Sequence, residues 1–91
     1  MTIKELEKIL IDEKVNINHY SLSDDTFIKA TEGFLIRKSD KGKWSLLFEE
    51  RGVQEVDGAY NNQHDVCMAF LKVMAYDYKQ LKKYLPQSAI A

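Results

Sequence analysis

Apolar residues recur along this chain with two periods, and the points where the period changes mark the elements. Over residues 2–14 the apolar positions are Ile3, Leu6, Ile9 and Leu10. Spacings of three, three and one predict a helix with a narrow apolar stripe. Thr2 followed by Glu5 has the form of a capping box, in which hydroxyl and carboxylate each take a backbone N–H of the first turn. Asn16, Asn18 and the β-branched Val15 and Ile17 do not prolong a helix. The chain is therefore read as extended through 20–22. Ser23, Asp24 and Asp25 form a turn, and residues 26–31 fit either a short strand or one helical turn.

A period of two then takes over. Phe34 to Lys38 reads as a strand entered at Gly33, and the turn residues Ser39, Asp40 and Gly42 reverse it into Trp44–Glu50. Trp44, Leu46 and Phe48 leave one side of that second strand, against Ser45, Leu47 and Glu49 on the other. The first set is core; Glu49, Glu50 and Arg51 stand at its exposed end. Gly52 serves the next reversal. Val53 to Asp57 follows as a polar edge strand ended by Gly58, and Asn62 with Asp65 three residues on gives the N-cap of a last helix. Val66, Phe70, Val73, Met74, Leu81 and Leu85 extend an apolar stripe along that helix for about five turns, to Pro86. The expected fold is α+β: an N-terminal helix, an antiparallel sheet of three to four strands, and a long C-terminal helix packed on one face. Residues 1–91 form one domain, with 86–91 a loose tail.

Composition narrows the function classes. A chain of 91 residues buries only roughly 60–65% of its unfolded surface, leaving little interior room for a cofactor. With 13 basic and 14 acidic residues, overall charge points to neither nucleic acid nor a membrane surface. The single cysteine, Cys67, forms no internal disulfide and suits a reducing cytoplasm. No stretch has the ~20 apolar residues of a membrane span, and the N-terminus lacks the apolar run of a signal peptide.

Candidate chemistry is sparse. His64 and Cys67, three apart on a helix, make half a metal site, but His19 is the only other histidine and structural zinc needs four ligands. Cys67 reads instead as a small buried apolar residue. Adjacent Asp24 and Asp25 point apart if extended, which does not suit an acid and base pair. No nucleophile elbow or phosphate-cradling motif occurs. The expectation is a protein that is not an enzyme and carries no metal or cofactor.

Charge distribution says more. Arg37, Lys38, Lys41 and Lys43 make one hairpin tip basic, whereas Glu49, Glu50, Glu55 and Asp57, with Arg51 among them, make the next turn and the edge strand acidic. An acidic edge steers basic partners and offers free backbone groups for pairing, to another protein or to a second copy as a homodimer. The same charges on an edge also discourage aggregation. Tyr76, Tyr78 and Tyr84 cannot all lie in the core stripe, and tyrosine is enriched both at interfaces and at sheet rims. A basic surface from the hairpin tip together with Lys79, Lys82 and Lys83 would instead suit a small regulatory or nucleic-acid-associated module.

The order of motifs, an amphipathic helix, Tyr20-Ser21-Leu22, Gly42-Lys43-Trp44, Glu50-Arg51-Gly52, then Tyr60 before a polar turn and a helix bearing Cys67, resembles the immunity proteins of bacterial polymorphic toxin systems. It is most similar to the immunity protein 59 group. Where that group reads Phe-x-Ser/Thr-Glu-x-x-Ala-Cys, this chain keeps the cysteine and replaces the alanine and glutamate. The resemblance implies a non-enzymatic cytoplasmic protein that binds and neutralises a cognate toxin, and the charged residues Glu49, Glu50, Arg51, Glu55 and Asp57 become the candidate toxin contacts.

Overall fold

Thr2 caps the first helix as its sequence foretells. Its hydroxyl accepts the Glu5 N–H at 3.2 Å while the Glu5 carboxylate accepts the Thr2 N–H at 3.1 Å, and helix α1 runs Ile3–Asp12. The computed structural model describes residues 1–16, 19–22, 33–38, 41–51 and 53–85. The α1 helix stops at a left-handed Lys14, φ 58°. There the Lys14 N–H reaches the Ile11 carbonyl at 3.1 Å and the Val15 N–H the Leu10 carbonyl at 2.9 Å. This is a Schellman closure, completed by Leu10 and Val15 both in the core.

Strand β1 is Tyr20–Ser21, β2 is Gly33–Lys38, β3 is Trp44–Glu50 and β4 is Val53–Tyr60. Among the described residues these form one sheet in the order β1-β2-β3-β4. The expectation of a wholly antiparallel sheet is corrected at one edge: β1 runs parallel to β2, Tyr20 beside Phe34. The eleven residues between Ser21 and Gly33 are long enough to return the chain in the same direction, which a tight hairpin is not. Gly33 makes the pairing feasible. Its φ is +149°, and a Cβ there would sit 1.9 Å from the His19 carbonyl oxygen. The expected choice between strand and helical turn over 26–31 concerns residues outside those described, as do Gly52 and the tail at 86–91.

The β2–β3 and β3–β4 hairpins are antiparallel as expected, with Phe34 opposite Phe48 and Ile36 opposite Leu46. The β4 strand runs beyond its expected end at Asp57. Leu46 pairs with Gly58 but Leu47 with Val56, so Asp57 is the extra residue of a bulge and the strand continues to Tyr60. Tyr60 folds its ring over Gly58, where a Cβ would meet the phenolic oxygen at 2.7 Å.

Asn62 caps α2 through a 2.8 Å bond from the Asp65 N–H, and α2 is Gln63–Met74. The long C-terminal helix is thus corrected to 12 residues. A turn at Ala75, Tyr76 and Asp77 follows, then a 3-10 helix over Lys79–Tyr84. Val66, Phe70 and Met74 follow helical spacing, but four of the six residues between Met74 and Leu81 are Tyr76, Asp77, Tyr78 and Lys79, which carry on no apolar stripe. The turn still lets Leu81 enter the core, fully buried. Its burial is worth roughly 1.5–3 kcal/mol. Helix α2 packs across β2, β3 and β4 and α1 packs against α2, and Leu6, Leu10, Ile36, Trp44, Leu46, Val66, Phe70, Leu71 and Met74 form the core between them.

Candidate interaction surface

The candidate contacts lie where β3 turns into β4. Glu50 pairs with Val53, so only Arg51 and Gly52 connect the strands. Such a two-residue hairpin turn favours a first residue with positive φ, and Arg51 has φ 53°. Register and side-chain alternation then sort the residues. Phe48, Glu50, Val53 and Glu55 share the face that the helices cover farther along the sheet. Here that face is open. These four residues and Arg51 line a depression of about 380 Å³.

Phe48 also belongs to a second depression, of about 160 Å³, lined by His19, Gly33, Phe34, Met74, Asp77 and Tyr78. Together the two hollows form a trough across the sheet end. Phe34 and Phe48 are its floor, with ring centroids 5.0 Å apart and planes at 56°. Glu50, Glu55 and Asp77 are exposed on its rim with Arg51. At the β1 end, His19 Nδ1 and the Tyr78 hydroxyl are 2.7 Å apart. Sequence reasoning assigned Phe48 to the core and missed the trough. The available signal was that Phe34 and Phe48 stand near the ends of their strands, Phe34 one residue from Gly33 and Phe48 two from the strand end at Glu50.

The expected site is divided. Glu50, Arg51, Glu55 and Asp57 are exposed, Asp57 at the bulge, but Glu49 is only 6% exposed. Its expected place at the exposed end is therefore corrected. Period-two alternation sends Glu49 to the opposite sheet face, the face of Leu35, which is fully buried. One Glu49 carboxylate oxygen accepts from Gln54 Nε2 at 2.9 Å; Oε2 is buried with no hydrogen-bond partner among the described residues. On that face Arg37 is half-buried. Burial lowers its pKa from the ordinary arginine value, against the opposing pull of the Glu49 charge.

The remaining candidates separate as well. Lys38 lies over the Trp44 ring, 5.4 Å from its centroid, beside a depression that also includes Thr2, Ile3, Lys4 and Gln63 at the start of α1 and α2. Lys83 instead pairs with Glu13 at the far end of α1, at 2.7 Å. The two basic groups are thus held apart by the length of α1, about 15 Å for ten residues. His64 is exposed and lies 2.7 Å from the N-terminal amine through Nδ1, while Cys67 is fully buried and burial pushes its thiol up to about 11. Among the described residues no cluster of three His, Cys, Asp or Glu could hold a metal ion, and no helix is long and apolar enough to cross a membrane. Asp24 and Asp25 lie outside the described residues. Of the three tyrosines, Tyr76 is 78% exposed, whereas Tyr78 and Tyr84 are half-buried and hydrogen-bonded.

No protein-family model, curated protein or solved structure matches this chain.

Proposed function

We propose that this protein is an immunity protein that binds a cognate bacterial toxin in the cytoplasm and neutralises it by direct contact, with no activity or cofactor of its own. The observation that carries this reading is the acidic hairpin end and outer strand. Glu50 is exposed at the end of β3, and Glu55 and Asp57 are exposed along β4, a strand with one edge paired among the described residues. Val53 and Val56 add exposed apolar area on the same strand, 63% and 67% exposed. Exposed apolar side chains amid like charges suit a partner of opposite charge better than they suit plain solvation. Such a surface works by occlusion. It covers a basic toxin surface and needs no reacting group.

The test is co-expression with a toxin encoded immediately upstream. Growth should be restored, and the two proteins should copurify. Failure to protect against any neighbouring toxin would sink the reading. The nucleic-acid alternative would need one basic surface, and Lys38 and Lys83 stand at opposite ends of α1. Salt-dependent binding to RNA or DNA would restore it.

A further inference from the structure

We infer that the Phe34–Phe48 trough receives an arginine or lysine side chain from an extended segment of the protein partner, an inference that rests on the toxin-binding reading and names how the toxin is recognised. The floor is aromatic and half-buried, and the rim carries Glu50, Glu55 and Asp77 against one cation, Arg51. Among the described residues, none of these three carboxylates holds an ion pair. A guanidinium is the group that satisfies both features together. Its plane stacks on an aromatic face, its stem covers apolar surface, and its N–H fork meets carboxylates at the edge. The chemistry excludes an acidic segment, which would set its carboxylates against Glu50 and Glu55. A second copy of this chain is disfavoured on the same ground: apposed hairpin ends would bring Glu50 and Glu55 against their own counterparts.

The experiment uses the intact protein, with a capped six-residue peptide of alternating arginine and leucine as probe and the glutamate-for-arginine peptide as its control. Amide shifts in a nitrogen-15 NMR titration should saturate at or below about 1 mM, centred on Phe34, Phe48, Glu50, Val53 and Glu55. The control peptide should leave them unmoved. The double variant Glu50→Lys/Glu55→Lys should lose at least about tenfold in peptide affinity. Glu7→Lys, an equally exposed reversal on α1, should lose none. Shifts centred elsewhere, no saturable shift, or an unchanged affinity in the double variant would overturn the inference. Toxin rescue separates the two claims. Protection retained by a double variant that no longer binds peptide places the toxin contact outside the trough, whereas peptide binding without rescue by the native protein leaves the trough standing and removes the toxin reading.

Discussion

Glu49 and Glu50 are neighbours in sequence with opposite roles, and reversing each alone shows it. Glu50 is exposed on the trough rim, so Glu50→Lys should change stability by no more than about 0.5 kcal/mol while weakening partner binding. Glu49 is buried, and Gln54 meets only one of its oxygens. Glu49→Lys puts a longer cation into that place, on the face of half-buried Arg37. It should cost roughly 2–4 kcal/mol, read as a fall in the urea midpoint. Equal midpoints for the two variants would show that Glu49 is not confined as described. The period of two in Trp44–Glu50 told which side Glu49 takes, but an alternation pattern cannot tell that the second side is covered too. Fully buried Leu35 on that side is the sign that it is.

At the scale of elements, the 3-10 helix Lys79–Tyr84 is fastened to α1 through one residue. Glu13 accepts from Lys83 at 2.7 Å and from the Tyr84 hydroxyl at 2.8 Å, and its carbonyl takes Gln80 Nε2 at 3.2 Å. The bond to Lys83, and then that to Tyr84, holds the Glu13 carboxyl below the ordinary glutamate value of 4.5. A lowered pKa in the folded state means that this stabilisation is complete above 4.5 and is lost as the pH falls through the lower folded value. The stability of native protein over Glu13→Gln should therefore be constant near neutrality and shrink below about pH 4.5, as urea midpoints across that range will show. A constant difference down to pH 2 would mean that the carboxylate charge is not what fastens the helix. Capping chemistry made α1 and the start of α2 readable, because Thr2, Glu5, Asn62 and Asp65 act locally. The end of α2 was not readable. Leu81 has helical spacing from Met74, yet it enters the core from a separate 3-10 helix, and an element held by contacts to Glu13, some seventy residues earlier, leaves no local mark.

At the scale of the whole molecule, the helices and the mixed sheet enclose a core on one sheet face, and Cys67 sits inside it. A buried thiol with its pKa pushed up to about 11 reacts only when the core opens. Labelling by a disulfide exchange reagent should therefore follow global unfolding and speed up with urea. Fast labelling in native buffer would show that α2 opens by itself. Both hairpins and their register were legible in the turn residues and in the alternation of Phe34, Ile36, Trp44, Leu46 and Phe48; the parallel β1 was not, since its two residues gain a partner only by a distant return of the chain. That return also sets a constraint on ancestry. At Gly33 any side chain would strike the His19 carbonyl, so descendants of a common ancestor that keep this edge must keep glycine there, whatever happens to the acidic hairpin as partners change. Glycine before a phenylalanine-led strand is thus the more durable signature for tracing kinship, and the rim carboxylates are the part of the chain free to diverge.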